Sequence, residues 1–185
     1  LIEGYETEMF IYVLCLNDIE GYDPRTGTAI QELQKAEPKF FLLTETYFLN
    51  WLYFRFLQVN RPGARDYFPH LVDSYKSTAW DGFARKLGQL HRICREHDVE
   101  LRLVIFPFLN QLGPDYPFLE AHGKLVEYCD RSAIPVLDLE PVFRGHAGEK
   151  LIVNLFDSHP NERAHGIAAE AIRDQLLDDL FNDNR

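Results

Sequence analysis

Three short apolar segments constrain the fold of this chain most. They are residues 9–16, 101–106 and 134–139, and their length and composition predict strands, the first of them buried on both faces. Stretches with helical periodicity separate the three segments. This alternation predicts a mainly parallel sheet with right-handed crossovers. We therefore expect one α/β domain that spans residues 1–185.

The predicted helices are amphipathic and have recognisable starts. One is capped by Ser77 or Thr78, a second begins near Pro117, and the last follows Pro160 with Asn161 or Ser158 as its cap. Their inward-facing positions are Trp80, Phe83, Leu87, Leu90 and Cys94 in the first helix, Phe118, His122, Leu125, Val126 and Cys129 in the second, and Ala164, Ala168, Ala171, Ile172, Leu176 and Leu180 in the last.

Residues 38–59 are unusually aromatic. Lys39, Glu45 and Arg55 interrupt this segment, so it lacks the uncharged run of 18 or more residues that a membrane span needs. We predict a largely buried or interfacial helix here. A flap over an apolar substrate pocket and a helix on a membrane surface are the alternatives.

Charge and cysteine content exclude some functions. The net charge is −10 with no basic cluster, which argues against nucleic-acid binding and disfavours docking on anionic lipid. The three cysteines (Cys15, Cys94 and Cys129) are widely spaced among apolar residues, which predicts buried thiols rather than disulfides. No signal peptide is recognisable after Leu1, and secreted, periplasmic and membrane-anchored locations all stay open.

A carboxylate and a histidine lie two residues apart ahead of the last predicted helix. Asp157 can accept the Nδ1 proton of His159, which leaves Nε2 available as a general base. Two other interpretations of this segment stay open. It can be an ordinary capping loop with an exposed histidine, or a metal site formed by Asp157, His159 and His165.

Asn17 is a second candidate because it directly follows the first predicted strand. In open parallel sheets, ligands bind beyond the carboxyl ends of the strands, where we also find Pro107, Phe108 and Asp138. An asparagine amide at such a place can donate a hydrogen bond to a developing oxyanion. The alternative is a turn residue that ends a strand.

Two blocks of the sequence are similar to those of a known enzyme family. Residues 15–18 (C-L-N-D) resemble the G-x-N-D block of the SGNH/GDSL hydrolases. Residues 157–161 (D-S-H-P-N) and 164–168 (A-H-G-I-A) resemble the family's terminal block and its helix. Residues 103–107 and 134–139 look like its intervening strands. Cys15 stands where the family usually has glycine, and the Asp-to-His gap is one residue shorter than the commonest form.

The resemblance implies a fold and a set of roles. The fold is a three-layer α/β/α, flavodoxin-like domain, with His159 as the base, Asp157 as its orienting carboxylate and Asn17 as an oxyanion donor. The family's nucleophilic serine and oxyanion glycine are expected upstream of Leu1, with a first strand and helix. Ser74, Ser77, Ser132 and Ser158 are the serines of this chain, and none lies in a G-x-S-x-G or G-D-S motif.

The implied activity is that of a serine esterase or lipase-like acylhydrolase. The resemblance implies hydrolysis or transfer of an acyl group on a small-molecule, glycan or lipid ester, with no metal and no cofactor. Two rival interpretations stay open. One is a catalytically inactive SGNH-like domain that binds carbohydrate or acts as a scaffold, and the other is a membrane-attached partner in acyl transfer that uses the aromatic segment 38–59.

Overall fold

A computed structural model of the chain describes residues 6–25, 38–60, 66–154 and 157–182. The chain divides into two compact units. The first consists of Leu1–Asp18 with Ala84–Arg185, and the second of Ile19–Phe83. The expectation that residues 1–185 make one SGNH-like domain stays a prediction.

A parallel sheet organises the first unit. Its strands are β1 (Met9–Cys15), β2 (Glu100–Phe106) and β3 (Val136–Asp138), in the spatial order β1-β2-β3. Every side chain of β2 from Leu101 to Phe106 is buried, because β2 lies between the other two strands. The prediction of an α/β chain with a parallel sheet is confirmed.

The described residues also form a two-stranded antiparallel sheet, eight α-helices, a 3₁₀ helix at Leu16–Tyr22 directly after β1, a 3₁₀ turn at Leu109–Gln111 and a π-helical turn at Ile172–Leu176. The small sheet pairs β4 (Ile152–Asn154) with β5 (Asp157–Pro160). The helices described are α1 (Phe41–Glu45), α2 (Tyr47–Asn60), α3 (Tyr67–Ser74), α4 (Thr78–Glu96), α5 (Leu119–Arg131), α6 (Glu140–Arg144), α7 (Glu162–Ala171) and α8 (Asp178–Asn182).

β1 differs from the prediction of a strand buried on both faces, which was wrong. Leu14 is its one fully buried residue, whereas Phe10 and Val13 are 37% and 46% exposed. The reason is that, within the described part of the chain, β1 pairs with β2 alone and so forms an edge of the sheet. Cys15, at its end, is exposed, so the prediction of a buried thiol was wrong there and confirmed at Cys94 and Cys129.

The helical faces of the first unit largely follow the predicted pattern. His122, Leu125 and Cys129 of α5 are buried, and α7 buries Ala164, Ala168 and Ala171. Leu180 is 47% exposed, so its predicted burial was wrong. A π-helical turn at Ile172–Leu176 separates α7 from α8, and this extra residue per turn ends the 3.6-residue register on which the prediction rested.

The second unit contains the aromatic segment. Among the α2 side chains that the structure describes, Leu57 alone is buried. A largely buried helix is therefore the wrong half of the prediction, and an interfacial helix stays a prediction. Buried polar groups fasten the unit elsewhere: the Asp23 carboxylate accepts hydrogen bonds from Arg25 Nη2 at 2.7 Å and from Ser74 Oγ at 2.7 Å. Ser77 caps α4 as predicted, since its Oγ accepts from the Ala79 backbone N–H.

Candidate functional site

Asp157 and His159 form a hydrogen-bonded pair on β5. One carboxylate oxygen of Asp157 lies 2.6 Å from His159 Nδ1 and also accepts the His159 backbone N–H at 3.1 Å. The His159 side chain is 88% exposed, whereas that of Asp157 is 45% exposed. A carboxylate on Nδ1 favours the Nδ1–H tautomer and leaves Nε2 as the acceptor. Such an arrangement can act as a general base with an orienting carboxylate.

The segment that carries this pair is a strand, so the prediction of a loop was wrong for residues 157–160. Antiparallel pairing with β4 extends the backbone, with Asn154 opposite Asp157 and Ile152 opposite Pro160. The Asp157 N–H also donates to Asn154 Oδ1 at 3.0 Å. Pairing and side-chain bonding together hold Asp157 in place.

Asn161 fixes the point where β5 becomes α7. Its Oδ1 accepts the backbone N–H of Ala164 at 3.0 Å, which confirms it as the helix cap. Its Nδ2 donates to Lys150 O at 2.8 Å and to Ile152 O at 3.2 Å. One side chain therefore joins the helix start to β4, immediately after the strand that carries His159.

The pair lies at the carboxyl edge of the parallel sheet. A short 3₁₀ turn, Leu109–Gln111, follows the carboxyl end of β2 and packs against β5. Leu109 of this turn belongs to one buried apolar cluster with Leu151 and Ala164. This is the edge at which open α/β sheets bind ligands.

Asn17 lies just beyond the carboxyl end of β1, on the same edge of the sheet. β1 and β2 end side by side, with Cys15 opposite Phe106. The Asp18 carboxylate holds this turn, because it accepts from Tyr12 Oη at 2.8 Å and from the Cys15 N–H at 3.2 Å. Asn17 is half-buried, and its amide bonds to no other residue in the described part of the chain. The roles that the resemblance implies require Asn17 and His159 to face one cleft, and this stays a prediction.

Local hydrogen bonds keep the Asp157 carboxylate charged. The backbone N–H of His159, and then its ring, lower the pKa of Asp157 below the ordinary carboxyl value. The thiols behave differently: burial raises the pKa of Cys94, and it raises the pKa of Cys129 to about 12. Thiols of raised pKa hold little thiolate at neutral pH, which does not favour them as nucleophiles.

The four serines have environments of their own. Ser74 is buried against Asp23, Ser77 caps α4, and Ser132 follows the end of α5. Ser158 is exposed on β5 between Asp157 and His159. Successive side chains of a strand point to opposite faces, so Ser158 faces away from the pair.

A buried polar group on α5 went unrecognised in the sequence. His122 was assigned to an apolar helix face, and it is buried there, but its Nδ1 lies 2.7 Å from Asp138 Oδ1 at the end of β3. Its Nε2 lies 3.2 Å from the hydroxyl of Tyr116. The sequence offered one signal, a predicted strand that ends at Asp138. Spacing alone does not identify the side chain that pairs with this carboxylate.

Metal sites and relatives complete the description. Among the described residues, no three His, Cys, Asp or Glu side chains are grouped as a metal ion requires, and His165 does not join Asp157 and His159 in such a group. None of the helices in the described ranges has the length and apolarity to span a bilayer. No family model, curated protein or solved structure matches the chain.

Proposed function

We propose that this chain carries the base and the oxyanion-donor part of an SGNH/GDSL-type serine ester hydrolase with a three-layer, flavodoxin-like fold. The observation that carries the proposal is the 2.6 Å contact between Asp157 Oδ1 and Nδ1 of an exposed His159. The substrate class is a carboxylic ester, and its acyl group is hydrolysed or transferred without a cofactor.

Each group then has a defined step. A serine outside these 185 residues attacks the ester carbonyl, and His159 Nε2 takes the serine proton. The Asn17 amide donates to the oxyanion that develops on the carbonyl oxygen. The tetrahedral intermediate expels the alcohol, which receives the proton from His159. Water, which gives a proton to His159, then attacks the acyl-enzyme; the acyl–serine bond breaks, the carboxylic acid leaves and the serine oxygen takes the proton back.

The edge strand β1 can pair with a further strand from outside the described residues. β1 pairs on one side only in those ranges, and apolar side chains at Phe10 and Val13 are exposed there. An uncovered apolar edge strand favours association with another strand. The strand that precedes the serine in the proposed architecture fits this position beside β1.

Hydrolysis of a short-chain nitrophenyl ester by the full-length protein tests the function. We expect His159→Ala to lower kcat by about 100-fold or more, because it removes the base. His165→Ala is the matched control, since this exposed histidine lies six residues further along, on α7. Hydrolysis by His159→Ala at the wild-type rate contradicts the proposal, and loss of activity on chelation indicates a metal site instead. No turnover by wild type, together with retained binding of a glycan, favours the inactive carbohydrate-binding alternative.

One observation favours an additional contact with lipid. Phe48, Leu52 and Phe56 recur every four residues along α2 and are 64%, 49% and 63% exposed. α2 contains no Asp or Glu, and Arg55 is its one charged residue, although the whole chain carries −10. An exposed apolar face without acidic groups is suited to a membrane surface.

Sedimentation with phosphatidylcholine vesicles tests this lipid contact. We expect the double variant Phe48→Ser, Phe56→Ser to lose vesicle binding. Leu119→Ser and Leu180→Ser serve as controls, since these exposed apolar residues lie on α5 and α8. Equal binding by wild type and the double variant contradicts the lipid contact.

A further inference from the structure

A buried chain of hydrogen bonds runs from the loop after β2 to the end of β3. The backbone N–H of Phe108 lies 3.1 Å from Tyr116 Oη, and that oxygen lies 3.2 Å from His122 Nε2. His122 Nδ1 lies 2.7 Å from Asp138 Oδ1. Tyr116 and His122 are 4% and 2% exposed. Buried polar groups of this kind are costly unless each has a partner.

The protons in this chain have one consistent direction. Phe108 N–H can only donate, so the Tyr116 oxygen accepts it; where His122 Nε2 carries no proton, the Tyr116 hydroxyl donates to that nitrogen. The single N–H of the neutral ring then lies on Nδ1 and donates to the Asp138 carboxylate. Burial raises the pKa of Tyr116, so its hydroxyl keeps its proton. A neutral imidazole therefore satisfies both of its neighbours.

One end of the chain of hydrogen bonds meets an element that contacts the candidate site, and the other end lies at β3 and α6. Phe108 immediately precedes the turn Leu109–Gln111, which packs against β5, the strand of Asp157 and His159. At the other end, Asp138 Oδ1 also accepts the Glu140 N–H at 2.9 Å, at the start of α6. The chain thus fastens the loop that supports β5 to both α5 and the carboxyl end of β3.

Aromatic packing encloses the same loop. The Phe118 ring lies 5.0 Å from that of Phe108 and 5.8 Å from that of Tyr116, between ring centroids. The Tyr116 hydroxyl is the point at which this apolar contact and the polar chain meet. A change confined to that oxygen removes the hydrogen bonds and leaves the ring packing in place.

We propose that Tyr116, His122 and Asp138 are positioning residues that hold the Phe108–Gln111 loop against β5 and so fix the orientation of the His159 ring. Their effect on ester hydrolysis rests on the proposed function, whereas their effect on the ring does not. None of the three touches the reacting atoms in this scheme. They act through the loop and β5.

Kinetics of the full-length protein give the first test. We expect Tyr116→Phe to lower kcat by about tenfold or more with KM little changed, because small displacements of a catalytic group are costly. Tyr128→Phe is the matched control, since its hydroxyl donates to Ala84 O at 3.0 Å, far along α5 from the loop. The positioning role is overturned if Tyr116→Phe lowers kcat no more than Tyr128→Phe does for the same loss in the free energy of unfolding.

The tautomer of His159 gives a second test that needs no activity. Nitrogen shifts of the neutral ring, recorded by NMR at alkaline pH, report which nitrogen carries the proton. We expect the Nδ1–H form in wild type and in Tyr128→Phe, and a shift towards the Nε2–H form in Tyr116→Phe. His122→Asn breaks the same link from the other side, because its amide can reach Asp138 but not Tyr116, and it replaces Tyr116→Phe if that variant does not fold.

These readouts separate the two proposals. A wild-type protein that hydrolyses no ester contradicts the proposed function, while the NMR comparison still decides the positioning role. A His159 ring with wild-type shifts in both Tyr116→Phe and His122→Asn overturns the positioning role, whatever the kinetics.

Discussion

A single oxygen of Asp157 accepts two hydrogen bonds from His159, one from its backbone N–H and one from its ring Nδ1. Both bonds span only two residues of β5, so they depend on the extended backbone of this strand. The carboxylate thereby selects the ring tautomer before any substrate binds.

Asp157→Asn tests the orienting role of the carboxylate. An amide of the same shape can accept the backbone N–H, but it no longer stabilises the imidazolium that forms when His159 takes a proton. We expect kcat for a nitrophenyl ester to fall by about 100-fold or more in the full-length protein. Ser158→Ala, between the two residues on the other face of β5, should keep the wild-type kcat. Equal rates for Asp157→Asn and wild type contradict the orienting role.

Asn17→Ala tests the oxyanion donor. The amide bonds to no other residue in the described part of the chain, so its loss should leave the thermal unfolding midpoint unchanged. We expect kcat to fall by about 100-fold or more, because a donor aimed at the oxyanion acts in the transition state. Asn17→Asp, which keeps the shape and loses the donor, should fall as far. A variant whose KM rises while kcat is retained would assign Asn17 to substrate binding instead.

Local chemistry explains which features the sequence could predict. The pairing of Asp157 with His159 and the cap at Asn161 depend on neighbours within a few residues, and spacing alone carries that information. The strand β2 was likewise predicted from its mostly apolar residues. These predictions needed no knowledge of distant partners.

The features that the sequence did not predict depend on distant partners. Phe10 and Val13 are exposed because β1 lies at an edge of the described sheet. The order of strands in a sheet cannot be predicted from the local sequence pattern of one strand. The buried position of His122 was predicted, but its bonds to Asp138 and Tyr116 join residues that only the fold brings together. Spacing could therefore identify one histidine and miss the partners of the other.

Arg102 gives a prediction for stability. Its side chain is 5% exposed on β2 and forms ion pairs with Glu100 and Asp179, and it also donates to the Leu176 carbonyl in the π-helical turn. Arg102→Ala leaves that carbonyl without this donor, so we expect a loss of about 3 kcal/mol in the free energy of unfolding, measured in urea. Asp179→Asn should cost less, since Asp179 is 59% exposed. The reverse order would contradict this account.

Asp23 gives a prediction for pH. Hydrogen bonds from the Arg25 side chain, then from Ser74 and the Arg25 backbone, outweigh burial and hold the pKa of Asp23 well below its ordinary value. A depressed carboxyl pKa contributes stability that is complete above the unfolded value, about 3.9, and is lost as the pH falls through the folded value. The free energy of unfolding of wild type should therefore exceed that of Asp23→Asn by a constant amount at pH values above about 5.

The comparison needs a matched carboxylate and a second pH. We expect the difference at neutral pH to be about 2 kcal/mol and to shrink as the pH falls below about 4. Asp115→Asn, at an exposed position ahead of α5, should stay close to wild type at every pH. A difference for Asp23→Asn that does not change between neutral and acid pH would show that its charge plays no part in stability.

Val13→Lys tests the edge of the sheet. Val13 is 46% exposed on β1, which pairs with β2 alone within the described residues. An apolar edge strand invites pairing with another chain, and a lysine there opposes it because its charge would have to be desolvated. We therefore expect the 185-residue chain to associate as its concentration rises, in light scattering or sedimentation, and Val13→Lys to reduce that association. Ile93→Lys is the control, because Ile93 is 42% exposed but lies on α4, where no backbone groups await a partner. If both lysines reduce association equally, general solubility explains the effect, and β1 is not the surface through which the chains meet.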